Sequence, residues 1–305
     1  MKNHYLNFVW IMLVLLSGMG CNQNSRKEEA RAFLDQIEGS AADSTRISEE
    51  IIYDILQQIP SPVEMSTLIK DVGMEYDNSF LSNADDYVNF NTSYQEAINL
   101  GIYGSDLIYT NIYGQKIDGI SYIKAINNLA TNLNLNQFFN LRLLSDLAMN
   151  SNKLDSLMLV TVRNFNDINN YLQEHKRTHL SVLFLVGGWI EAVHINCALA
   201  LNNPGNEKLI EKIGEQKMTL ESISLLLEFY SSTEPNIAEL KEDIDQLSEA
   251  FKEVEIIYTY KKPTYEVVDG VLSIIDNSTS SVKINEDSIL KISAKVKEIK
   301  NKIQS

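Results

Sequence analysis

Apolar side chains recur three and four residues apart over most of the chain, the spacing that lines one face of an α-helix. Tyr94, Ile98 and Ile102 form one such stripe, and Ile237, Leu240, Ile244, Leu247 and Phe251 form another. These patterns predict helices near residues 28–38, 47–59, 62–72, 93–113, 116–133, 136–149, 152–176, 179–202, 206–231 and 236–254. Proline placement agrees. The five prolines are Pro60, Pro62, Pro204, Pro235 and Pro263, and none falls between Pro62 and Pro204. A helix interior excludes proline at a cost of about 3 kcal/mol, so a long proline-free tract favours helices.

Several predicted starts carry capping residues. Ser61-Pro62 with Glu64 and the pair Asn91-Thr92 place a side-chain oxygen where it can accept from an unpaired amide of the first turn.

The pattern changes after residue 255. Ile256–Tyr260 and Tyr265–Ile275 are rich in β-branched and aromatic residues and flank Lys261-Lys262-Pro263, which predicts a small β-hairpin. A second turn is expected at Asp276-Asn277-Ser278, followed by Ser281–Ile284. Asn285 then caps a closing helix over Glu286–Ile303. No internal repeat is evident at a period of 20 to 50 residues. The expected fold is mainly all-α: a multi-helix bundle with a small β-hairpin element and a closing helix. Residues 47–305 would form one mainly helical domain, with the β element over 256–285.

The first residues follow a different logic. Lys2 is followed by the apolar run Phe8–Leu16, by Ser17-Gly18-Met19-Gly20, and then by Cys21. Nine strongly apolar residues are too few to cross the roughly 30 Å hydrocarbon layer, which needs about 20. The segment resembles the signal of a bacterial lipoprotein of the signal-peptidase-II type, with Gly18 where such signals most often carry leucine. The resemblance covers about the first 30 residues. It implies cleavage before Cys21, lipidation of the Cys21 thiol, a tether over 21–46 with a possible short helix, and a membrane partner reached through the lipid. Stable anchoring takes more than one acyl chain, as a di- or triacylated cysteine would provide. Lys27-Glu28-Glu29 is similar to the surface-export signals of some Bacteroidota lipoproteins. The expected location is the bacterial cell envelope, at the outer membrane.

Charge narrows the partners. The chain carries a formal −15, and removing residues 1–20 with Lys2 takes this to −16. Such an acidic balance argues against nucleic acid, whose binding requires Lys and Arg to neutralise phosphates. With 44% hydrophobic and 22% charged residues the chain can bury a sizeable core. If Cys21 is acylated, Cys197 is left without a disulfide partner. Its apolar surroundings suggest a buried small hydrophobe.

Two constellations could carry chemistry. Leu100–Gly114 gathers Tyr103, Asp106, Tyr109 and Tyr113 around Gly101 and Gly104, with Tyr122 on the next helix. A lone aspartate among phenols needs partners if buried. It could line a polar-aromatic ligand pocket, be satisfied by a tyrosine or a backbone amide in tight helix packing, or belong to a protein-partner surface. Leu180–Leu201 is the most apolar internal stretch. Gly187-Gly188, Glu191, His194 and Asn196 interrupt it, as expected of a core helix in a soluble bundle rather than a membrane span.

Glu191 and His194 have the Glu-x-x-His spacing of di-iron bundles, but no second copy occurs, so no metal and no other cofactor is expected. A buried Glu–His hydrogen bond, or a pair bonded to a tyrosine, is the simpler expectation, and Glu191 with His194 as a polar pair lining a ligand pocket is the alternative. His175 and His179 straddle an apparent helix junction and lack further ligands. No nucleophile elbow, phosphate-binding loop, EF-hand loop or dinucleotide fingerprint is present. Asn91 and Asn277 match glycosylation sequons but suit cap or turn roles. The acidic residues of 236–254 suggest a solvated face.

No catalytic residues are assigned. The expected role is a membrane-anchored, non-enzymatic interaction or accessory module with an envelope protein partner. The alternative is a small-ligand receptor or an undetected enzyme.

Overall fold

The computed structural model describes residues 49–59, 75–149, 154–268, 271–275 and 277–305. The expectations for the signal segment, Cys21, the tether, the helices at 28–38 and 62–72, and the Ser61-Pro62 cap lie outside these residues.

Helices dominate: α1 (Glu49–Gln58), α2 (Ser93–Ile112), α3 (Lys116–Asn132), α4 (Leu141–Ala148), α5 (Leu154–Glu174), α6 (Thr178–Asn202), α7 (Glu207–Ser231), α8 (Pro235–Ala250) and α9 (Glu286–Ile303). Short 3-10 turns cover Asn78–Phe80, Ala84–Asn89 and Asn136–Phe138. The last of these takes the place of the first turn expected at 136, and α4 starts only after Asn140, whose side chain accepts from the Leu143 amide. Other caps fall where the sequence placed them. Thr92 accepts from the Gln95 amide at 3.2 Å, and Asn285 from the Ser288 amide at 2.7 Å.

The core is organised around α2 and α6, which pack along much of their length. Every residue of α2 from Glu96 to Asn111 is buried. Glycines allow this approach. A Cβ on Gly101 would overlap the Phe184 carbonyl, and one on Gly187 the Ile98 carbonyl, so each glycine admits the other helix's backbone. Ser105 then donates to the Gly188 carbonyl at 2.8 Å across the contact. Among the described residues α6 alone is long and apolar enough to span a membrane, but 89% of its apolar window is buried inside the protein. It is a core helix.

Around this pair, α3 packs on α2, α5 and α7 on α6, and α8 on α7, while α9 closes against α6 and α8. Residues 49–305 form one compact unit.

Between α8 and α9 runs an antiparallel ribbon whose pairing differs from the expected hairpin. β1 (Glu255–Thr259) pairs with β4 (Thr279–Lys283), from Glu255↔Lys283 to Thr259↔Thr279. β2 (Thr264–Val268) pairs with β3 (Val271–Ile275), from Thr264↔Ile275 to Val268↔Val271. Lys261-Lys262-Pro263 is therefore no hairpin turn. It interrupts one strand opposite the break near Asn277, whose amide donates to the Lys262 carbonyl at 2.9 Å. Proline cannot donate to a ladder, which accounts for the break. The β2–β3 pairing instead runs up to Val268↔Val271, and the two residues between them in the sequence are Asp269-Gly270, a dipeptide favoured in two-residue hairpin loops. The base of the ribbon rests on α7, where Gly214 meets Val282 and Val254.

Candidate functional site

The two sequence-predicted constellations meet. Tyr103, Asp106 and Tyr109 lie on α2, and Glu191 and His194 on α6. Tyr103, Asp106, Tyr109 and His194 face one segment, residues 76–83, which crosses the helices as a strap, and Glu191 is linked to it through Lys300.

The strap is held largely through its backbone. Tyr109 donates to the Asp77 carbonyl at 3.4 Å, Tyr122 to the Ser82 carbonyl at 2.5 Å and Tyr103 to the Asn83 carbonyl at 3.0 Å. The Ser82 amide donates to Asp106 Oδ2 at 3.3 Å. Lys300 donates to the Phe80 carbonyl at 2.9 Å and to Glu191 Oε1 at 2.7 Å. The Phe80 backbone also faces the His194 ring. At the strap's start, the Tyr76 hydroxyl donates to Asp118 Oδ2 at 2.7 Å, and its ring packs against Tyr109 and Tyr113. Tyr113 is the C-cap of α2 and packs on Tyr109, with ring centroids 4.9 Å apart.

Beneath the strap sit three ionisable groups. Asp106 and Glu191 are fully buried, and Lys300 is 5% exposed. One lysine cannot neutralise two carboxylates. Burial, reinforced by the nearby charge of Glu191, pushes the Asp106 carboxyl well above the usual carboxylate range, against the opposing effects of Lys300 and the Ser82 amide. Asp106 Oδ1 and Glu191 Oε2 have no other protein donor among the described residues. The Asp106 side chain lies within hydrogen-bond reach of Glu191, so the raised carboxyl of Asp106 can hold a proton between the two acids. Burial likewise raises the hydroxyls of Tyr103 and Tyr122, keeping them neutral donors. It lowers His194, despite the opposing pull of Glu191.

Glu191 therefore pairs with Lys300 and not with His194. Asp106 accepts from a backbone amide through Oδ2, one of the partners the sequence suggested, while its Oδ1 has no such donor. Lys300 and the strap itself were not anticipated. One signal was available: Lys300 falls four residues after Val296 and three before Ile303, on the buried stripe of α9.

The remaining candidates separate. His175 stacks on Tyr171 with its Nδ1 2.8 Å from the Tyr171 carbonyl, whereas His179 lies on α6 near Tyr230. Lys176, at φ 57°, breaks the helix between them. Among the described residues no group of three or more His, Cys, Asp or Glu is placed to hold a metal ion. Cys197 is buried, and burial pushes its thiol up to about 12. The acidic face of α8 is partly neutralised: Lys302 lies 2.9 Å from Glu239 and 2.8 Å from Asp243.

No family model matches this sequence, and no curated protein or solved structure matches it.

Proposed function

We propose that this chain is a membrane-anchored envelope lipoprotein that acts as a non-enzymatic protein-interaction or accessory module. The observation that carries the reading is the strap. Tyr103, Tyr109, Tyr122, Asp106 and Lys300, which could have lined a reactive pocket, hydrogen-bond to the chain's own backbone at residues 77–83, and Glu191 is tied to the same lysine. Catalysis needs groups free to meet a substrate, and these hold structure. The N-terminal pattern ending at Cys21 supports the anchor. The acidic composition supports a protein partner over nucleic acid.

The test is chemical cross-linking in intact native cells, gentle membrane solubilisation and recovery of the tagged protein beside a Cys21→Ser control. One reproducible membrane partner, lost in the control, is the expected result. Recovery of the protein alone overturns the reading.

A second reading, a small-ligand receptor or an undetected enzyme, draws on one observation: His194 Nδ1 is buried with no protein partner among the described residues. A polar ligand that displaced part of the strap would reach it. Such a ligand would raise the thermal midpoint of the wild type and fail to do so for His194→Phe.

A further inference from the structure

Away from the strap, a groove of about 650 Å³ opens between the first turns of α7, the entry to β1 and the passage from β4 into α9. That volume lies within the ~300–1,000 Å³ range of ligand sites. Its apolar lining comes from three places: Ile210 on α7, Val282 on β4, and Ile284 just after it, all half-buried. Its charged lining is one-sided. Glu207, Glu211, Glu253 and Glu255 surround it, with Lys283 as the sole base.

The base does little to offset them. Lys283 lies 3.8 Å from Glu255, and Lys291, outside the groove, 3.8 Å from Glu253; all four side chains are at least half exposed. Exposed pairs at that separation contribute little. Glu207 and Glu211 take part in no ion pair among the described residues. Glu207 belongs to the first turn of α7, where a helix favours an acid for its own sake. Glu211, one turn further on, has no such reason to be there.

We infer that this groove docks a partner-protein segment in which apolar anchor residues are flanked by lysine or arginine. The aliphatic lining gives the anchors a place to leave water, and the glutamates select the flanking charge. The same charge repels phosphate-bearing ligands and anionic lipid, so a basic amphipathic peptide is the complementary occupant. The inference rests on the interaction-module reading and names the chemistry of its partner. The ribbon sets the shape of the site. Gly214 lets Val282 and Val254 settle onto α7, bringing Ile284 beside Ile210.

The test uses the full chain in detergent and a fluorescein-labelled amphipathic peptide of leucine and arginine, followed by anisotropy. A scrambled peptide of the same composition serves as control. Saturable binding is expected, weakened about tenfold by the Glu207→Gln/Glu211→Gln pair. Ile284→Ser should weaken it by a similar factor. Glu242→Gln, a loss of charge on the exposed side of α8, should leave it within about twofold. Absence of binding overturns the inference. So does equal binding of the scrambled peptide, or equal weakening by Glu242→Gln, since either shows general attraction to an acidic surface. If the peptide fails while cross-linking in cells recovers a partner, the groove is wrong and the module reading stands.

Discussion

Lys300 Nζ lies 2.7 Å from Glu191 Oε1, joining the last helix to the central one across 109 positions of sequence in a place almost closed to water. Removing one partner strands the other. Lys300→Met is expected to cost about 3–5 kcal/mol in urea unfolding, because it leaves Glu191 buried and uncompensated. The double variant Lys300→Met/Glu191→Gln should recover part of that loss. A double variant no better than the single would show that the lysine matters through the Phe80 carbonyl and not through the ion pair.

Asp106 gives a pH signature of definite sign. Its carboxyl is held above its unfolded value of about 3.9, so the folded state binds this proton more tightly than the unfolded one. The associated stability is fully present below the unfolded value and is lost as pH rises through the folded one. The amide of Asp106→Asn, a neutral mimic, has no such dependence. The stability of wild type minus that of Asp106→Asn should therefore fall as pH is raised from about 4, and a difference that grows with pH would refute the shared proton. Glu191, Lys300, Tyr103 and Tyr122 face Asp106 and remain in both proteins, so the difference reports Asp106 together with its coupling to Glu191.

Tyr122→Phe removes the donor to the Ser82 carbonyl and leaves that carbonyl buried. A loss of about 1–2 kcal/mol is expected. Limited chymotrypsin digestion should show faster cleavage after Phe80 or Leu81 than in wild type. Cleavage that accelerates equally at sites far from the strap would mean global unfolding.

Gly187→Ala sets two effects against each other. Alanine gains about 1 kcal/mol of helix propensity, whereas its Cβ meets the Ile98 carbonyl, which belongs to backbone and cannot rotate away. Overpacking should win, with a net loss of about 1–3 kcal/mol by denaturant titration. Gly205→Ala, where nothing lies within 4 Å of the added carbon, should change stability by less than about 0.5 kcal/mol.

Helices were legible in this sequence because their signal is local. The stripe beginning at Tyr94, the cap at Thr92 and the closing helix after Asn285 all depend on neighbours within a few residues. The ribbon was legible only as β structure. Its register depends on which strand meets which, and the Lys-Lys-Pro break imitated a turn while Asp269-Gly270 lay inside an apparently continuous run. The candidate residues on α2 and α6 stood out as polar groups in apolar helices. Their common target did not, because residues 76–83 carry no periodic pattern and are bound through main-chain atoms that any sequence possesses. The partner of Glu191 was hidden for a related reason: a lysine in a lysine-rich helix looks like a surface residue until the helix has something to lie against.

The bond from Lys300 to the Phe80 carbonyl spans 220 positions. A chain made from its N-terminus must extend 220 positions past Phe80 before this tie can form, so Glu191 waits in an unfinished core for a cation encoded in α9. Shortened products that stop before α9 would expose that carboxylate and release the strap together, which would mark them for proteolysis. The arrangement makes the presence of α9 a condition for closing the strap over Glu191.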